Sequence, residues 1–308
     1  MIISGYVYAA SFERKQINSI ESAYKLKEIV NKFIRYTIPY IGIYLVEAVG
    51  YLVVKRKADI LEMLKVLLGG GYGPGSYYYP IMLQFMFIFP IIYFIIRKYD
   101  LLGVVCCGIV NGLYDVLKYV YEMNESCYRM LVFRYILLIG FGCYLVIGKV
   151  KTRLWVSVCS CLLGFVFIII SKYMGYSIAI VQYWSGTSFL AVLYVIPIVG
   201  RLLKSNLCRT FRCKFLERLG KASFDIFLVQ MLYYWGIQPI FARIIENRIQ
   251  LFAVSIFVCL LGGCVYFAIE SRLTKYITGC VEQKLEIYDM KKYIEIITYG
   301  IGRIQNTE

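Results

Sequence analysis

Tyr77-Tyr78-Tyr79-Pro80-Ile81-Met82-Leu83-Gln84-Phe85-Met86-Phe87-Ile88-Phe89-Pro90-Ile91-Ile92-Tyr93-Phe94-Ile95-Ile96 runs for twenty residues without a charge. As a helix it covers about 30 Å, the hydrocarbon thickness of a bilayer. The run is continuously apolar and not alternating, which selects a helix over a barrel strand. Comparable stretches recur near 37–54, 101–121, 130–148, 154–171, 178–200, 222–241 and 250–270. Those at 101–121 and 222–241 are weaker, because each carries ionisable residues. The spacing predicts an all-α polytopic integral membrane helix bundle of about eight full transmembrane helices.

Composition agrees. Hydrophobic residues make up 60% of the 308 residues and charged residues 17%, against roughly half and a quarter in a soluble domain. The net charge of +15 does not imply a nucleic-acid partner, because it is segregated by loop. With the C-terminus cytoplasmic, the inner loops (11–36, 97–100, 149–153, 201–221, 271–308) hold 24 Lys and Arg, and the outer loops (55–76, 122–129, 172–177, 242–249) hold 8. That asymmetry is the positive-inside rule, with Lys55-Arg56-Lys57 as its one exception. Most of the eleven cysteines sit inside apolar stretches as small hydrophobes, and Cys208 and Cys213 lack a partner pair for a metal site.

Residues 1–10 are apolar but too short to cross, so they form an interfacial helix or the end of a spanning one; they show no basic n-region of a signal peptide. Residues 11–36 follow as a basic inner segment, with Pro39 expected in the first turn of the next helix, where its missing N–H costs little. Residues 69–80, Gly-Gly-Gly-Tyr-Gly-Pro-Gly-Ser-Tyr-Tyr-Tyr-Pro, exclude a regular helix. They read as an outer loop with a tyrosine belt, or as a re-entrant element lining a polar cavity. Residues 271–308 alternate apolar and charged positions and read as a cytoplasmic or interfacial amphipathic tail after a membrane domain over 1–270.

Charges inside spans are costly and point to function or to buried pairs. Asp115 and Lys118, one turn apart, are placed to neutralise each other. Arg134 and Asp225 lie near span ends, where a side chain reaches the headgroups. Glu47 has no local partner. It must face the protein interior, be protonated or pair with a base on another helix, and it is the candidate functional carboxylate beside a purely structural reading.

Five segments then carry a resemblance. Phe215-Leu216-Glu217-Arg218-Leu219-Gly220-Lys221-Ala222-Ser223-Phe224-Asp225-Ile226-Phe227-Leu228 resembles the Leu-Gly-Lys-x-Ser-Tyr-x-Ile-Tyr-Leu signature of the acyltransferase-3 family. These proteins are multispanning O-acyltransferases that modify sugars and other hydroxyl acceptors. Ile2-Ile3-Ser4-Gly5-Tyr6, Arg35-Tyr36-Thr37-Ile38-Pro39, the aromatic stretch 77–90 and Ala268-Ile269-Glu270 resemble further family motifs in the same order. The resemblance implies acyl transfer, for example of an acetyl group, from acyl-CoA to a hydroxyl of a cell-surface carbohydrate or similar acceptor, in a bacterial polysaccharide O-acetylation setting. It implies Arg35 on the donor side, a loop containing Gly73, Gly75 and Tyr77 bordering the acceptor, Gln84 at a family polar position, and Ser223 in the signature. No bound cofactor or metal is implied, and membrane lipids are the other partner.

The family's first helix carries an Arg-x-x-x-His motif, whereas this chain has no histidine and begins within what resembles the second helix. The expectation is therefore a half-helix stub followed by eight spans, lacking the usual base. Gln230 stands where the family often has another histidine, and Met82 and Leu83 stand near a frequent glutamate. Two other readings follow from the residues: a transporter or flippase of lipid-linked sugars, which the absence of an internal repeat disfavours, and a non-catalytic membrane remnant. Oligomeric state is not legible.

Overall fold

The computed structural model describes residues 1–55, 59–148, 154–173, 191–204 and 213–305. Every regular element among the described residues is helical. In chain order they are α1 (Ile2–Arg14), α2 (Ile20–Ala23), α3 (Leu26–Lys55), α4 (Ile60–Gly69), α5 (Tyr78–Tyr99), α6 (Leu101–Val120), α7 (Glu125–Met130) and α8 (Ile136–Ile147). There follow α9 (Leu154–Ile168), α10 (Val195–Lys204), α11 (Lys214–Lys221), α12 (Ser223–Leu232), α13 (Gln238–Ile244) and α14 (Arg248–Gln305).

Four described helical stretches are long and apolar enough to cross a membrane: Ile20–Val54, Tyr78–Tyr99, Leu101–Val120 and Arg248–Lys284. They match the expected spans at 37–54, 77–96, 101–121 and 250–270. The stretches at 130–148 and 154–171 contain the shorter apolar helices Val132–Ile147 and Val158–Ile168. Residues 222–241 form α12 and α13 joined by the π-helical turn Tyr233–Ile237. Most of the expected span at 178–200 lies outside the described residues.

The chain forms two compact units. The first comprises residues 1–24, 64–70 and 75–218. Its core is built on α5, whose Ile81, Phe85, Phe89, Tyr93 and Ile96 are fully buried. Tyr8 and Phe12 of α1 meet Phe85, Phe89 and Tyr93 edge to face at 4.6–5.3 Å, the arrangement aromatic quadrupoles favour. Residues 2–14 therefore form one helix whose buried side packs on protein. Against α8 it packs backbone to backbone: a side chain on Gly5 would collide with the Ile139 carbonyl, and one on Gly142 with that of Ile2. Small residues bring membrane helices this close, where dispersion contacts replace the missing hydrophobic drive.

The second unit comprises residues 25–63, 71–74 and 219–308, with α3, α12 and α14 at its centre. Gly263 of α14 admits the backbone of Ile226, and Gly42 of α3 admits the Tyr266 hydroxyl. α3 begins at Leu26, so Pro39 is buried well inside the helix and not in its first turn as expected. The earlier start comes from residues 26–36, which continue the helix across the basic segment. Pro39 removes the donor for the Arg35 carbonyl, while its own carbonyl accepts from the Tyr266 hydroxyl at 2.6 Å. α14 is unbroken for 58 residues, passing through position 270 without interruption, and at 1.5 Å per residue it is about 87 Å long.

Candidate functional site

Tyr44, Glu47 and Tyr51 recur at i, i+3 and i+7 on α3 and so share a face. The start of α4 is tied to that face, since the Tyr44 hydroxyl donates to the Met63 carbonyl at 2.8 Å and the Tyr51 hydroxyl to the Glu62 carboxylate. Gly70, Gly71 and Gly75 follow with φ of +97°, +116° and +92°, a region side chains strongly disfavour. This backbone delivers the Tyr72 N–H to Glu47 Oε2 at 2.9 Å. A Cβ on Gly71 would stand 2.7 Å from that same oxygen, and one on Gly73 would stand 2.5 Å from the Met231 carbonyl. The glycines therefore serve both conformation and close approach.

The Tyr72 ring stacks on Tyr51 at 4.9 Å and leans on Trp235 at 5.5 Å. Trp235 is carried by the π-helical turn, a feature that recurs at functional sites. Two polar atoms stay unmatched. Glu47 is 0% exposed and its Oε1 has no hydrogen-bond partner among the described residues; the same holds for the buried Tyr72 hydroxyl. Each such atom costs on the order of 1–3 kcal/mol, more when charged. Burial pushes the Tyr72 phenol above its ordinary value, and Tyr44, Glu62 and Glu47 add to the rise. The site is thus a sealed carboxylate under a glycine loop, able to accept a proton or hydrogen bond from a group that reaches Oε1.

A second cluster in the same unit joins Arg35, Asp225 and Glu270. The exposed Arg35 lies in electrostatic reach of both carboxylates. Glu270 accepts from the Thr274 hydroxyl at 2.7 Å, while Asp225 is 4% exposed and its Oδ1 has no hydrogen-bond partner among the described residues. Asp225 is therefore held inside and does not reach headgroups as expected. Ser223 is exposed in the first turn of α12, two residues from Asp225.

In the first unit, Asp115 and Lys118 each have a tertiary partner. Asp115 accepts from the Tyr128 hydroxyl, and Lys118 pairs with Glu125 at 2.5 Å. Arg129 also pairs with Glu125, at 2.7 Å. Arg134 is 4% exposed, stacked 4.7 Å over the Tyr128 ring and 4.0 Å from Glu125, so it too is buried where headgroup contact was expected. Burial alone would raise Glu125, but hydrogen bonds and charge from Lys118 and Arg129 hold it below the usual carboxylate value. Burial, then the bond to Asp115, drive the Tyr128 phenol up.

The predicted residues thus separate. Glu47 and Gly73 meet under the glycine loop, while Arg35 and Ser223 lie at the second cluster. Gly75, Tyr77 and Gln84 belong to the first unit. Gln84 donates to the Met130 carbonyl at 2.8 Å and accepts from the Val132 N–H at 3.0 Å, bridging the break between α7 and the following 3₁₀ turn. Tyr77 starts α5, its carbonyl accepting from the Ile81 N–H. Sequence reasoning did not single out Tyr51, Tyr72 or Trp235. The one available signal was a tyrosine among five glycines and two prolines.

A model of the acyltransferase-3 family, described as an acyltransferase domain, matches residues 1–269 of the 308. No curated protein and no solved structure matches the chain. The match covers α1 to α13 and the first part of α14; it includes Glu47, the glycine loop, Arg35 and Asp225, and ends one residue before Glu270. Apolar helices long enough to cross a bilayer and a family model spanning most of the sequence agree, and the chain belongs to the acyltransferase-3 family.

Proposed function

We propose that this protein is an integral membrane acyltransferase that moves an acyl group, for example acetyl, from acyl-CoA to a hydroxyl of a cell-surface carbohydrate or similar acceptor. The observation that carries the reading is Glu47, sealed beneath the glycine loop with Oε1 unmatched. In this reading the acceptor hydroxyl gives its proton to Oε1 as its oxygen attacks the thioester carbonyl. The tetrahedral adduct then collapses, the C–S bond breaks, and the departing thiolate takes the proton from Glu47. Glu47 would thus take over the proton-accepting task of the family's histidine, in a chain that has none. Arg35, exposed and within electrostatic reach of Asp225 and Glu270, is the residue proposed to contact the donor. The loop charge asymmetry supports a cytoplasmic C-terminus.

The test is acyl-CoA-dependent acylation by membranes containing the chain, with release of free CoA as the readout. Turnover that Glu47→Gln abolishes supports the reading, and an unimpaired Glu47→Gln variant removes Glu47 from it. One observation, the lack of histidine, favours a second reading as a non-catalytic member of the family. Absence of turnover with any acyl-CoA and acceptor would support that one.

A further inference from the structure

The Tyr72 side chain occupies its place on unusual terms. Its ring stacks on Tyr51 and leans on Trp235, yet its hydroxyl is buried without a partner among the described residues, and its own N–H bonds a carboxylate whose second oxygen is also unmatched. A tyrosine kept there for stability would be expected to spend its hydroxyl on a bond. The backbone on both sides is built to turn: Gly70 and Gly71 precede Tyr72 and Gly75 follows it, all at positive φ. The division between the two units falls at these glycines, for residues 71–74 belong to the second unit while the chain immediately before and after belongs to the first. The loop is held on α3 and the π-helical turn by the two ring contacts, the Tyr72 and Gly73 backbone N–H groups facing Glu47 and the close seat of Gly73 on Met231.

We propose that the Tyr72 ring is a removable plug in the acceptor's seat, hinged at Gly70, Gly71 and Gly75, and that the acceptor replaces it with a hydroxylated ring having one apolar face. The apolar face takes the place of the Tyr72 ring against Tyr51 and Trp235, and a hydroxyl reaches Glu47 Oε1. This inference rests on the acyl-transfer reading for the identity of the occupant, but the plug itself has a readout that does not need turnover.

The experiment places a cysteine under the plug, as Glu47→Cys and separately as Met231→Cys, and follows alkylation at that position by peptide mass in the full chain in membranes. With Tyr72 present, both positions should react slowly. Tyr72→Ala should accelerate both by about tenfold or more, the order expected for losing two aromatic contacts that hold a local closure. Gly71→Ala should act in the same direction in the Met231→Cys background, because its Cβ would press on Glu47 and its φ is unfavourable to a side chain. Equal rates in all backgrounds would overturn the plug. Accelerated labelling in a chain that never turns over acyl-CoA keeps the plug and rejects the acyl-transfer reading. Turnover with labelling rates unchanged does the reverse.

Discussion

Glu47 in the second unit and Asp115 in the first are both buried carboxylates on helices able to span a bilayer, and they are treated oppositely. Asp115 sits in a network that answers it: the Tyr128 hydroxyl donates to it, Arg134 stacks on that same ring, and Glu125 gathers Lys118 and Arg129 nearby. Glu47 is faced by the backbone N–H groups of Tyr72 and Gly73, its Oε1 has no hydrogen-bond partner among the described residues, and none of the ion pairs among the described residues involves it. Desolvating a carboxylate is costly wherever it occurs. In the first unit the surroundings offset that cost, which is how a fold uses a buried charge. In the second the cost is left standing, as expected of a group kept for something that arrives later.

Replacing each region's key side chain is the way to break this contrast. Glu47→Gln should lower acyl transfer by about 100-fold or more with little loss of thermal stability in detergent, measured on the same preparation. A variant that unfolds would place Glu47 with Asp115 as a structural group. Arg134→Ala should show the opposite pattern, destabilising by about 2–5 kcal/mol because it empties a buried place packed on the Tyr128 and Tyr135 rings, seen as a lowered unfolding temperature. Tyr128→Phe keeps the ring under Arg134 and removes only the hydroxyl bond to Asp115, so a smaller cost of about 1–3 kcal/mol is expected; an unchanged melting temperature would mean that Asp115 is satisfied by other groups.

The smallest effect sharpens the electrostatic side of the contrast. The Glu125 carboxyl is held below its ordinary value of 4.5, so its contribution to stability is complete above that value and fades as pH falls through the lower folded value. Its side chain is 41% exposed, and solvent screening keeps the contribution small. Unfolding temperatures followed from about pH 6 to about pH 3 should fall less steeply in Glu125→Gln than in the parent. Identical slopes would show that the Lys118 and Arg129 pairs do not contribute.

Glu47 was legible as a buried carboxylate because a charge with no helical neighbour stands out in an apolar run. Its partner was not, because Tyr72 lies 25 residues away in a loop whose path depends on three positive-φ glycines. Asp115 and Lys118 show the reach of local spacing: a one-turn separation marks them as neighbours, but the partners α7 brings to them, Tyr128 and Glu125, depend on the tertiary fold. Arg134 and Asp225 were expected at the headgroups because position along a span says nothing about which face looks inward. Gln84 was visible as a polar break in the most apolar run, but its task of bridging Met130 and Val132 appears only once the chain is folded. Family membership was readable from the order of short motifs, since each specifies local backbone and packing rather than a long-range contact.

The unbroken α14 has one further consequence, in phase. A continuous helix has no joint in which to hide an angular error, so residues distant along it are set at fixed azimuths to one another. Tyr266 meets the Pro39 carbonyl, and sixteen residues later Glu282 meets Asn31 at 2.5 Å and Lys27 at 3.9 Å, all on α3. A single residue inserted between these two points would turn Glu282 by about 100° relative to Tyr266 while moving it only about 1.5 Å. The two ends of that contact with α3 could then not both be kept. Along this helix, rotational register is a tighter constraint on sequence length than reach.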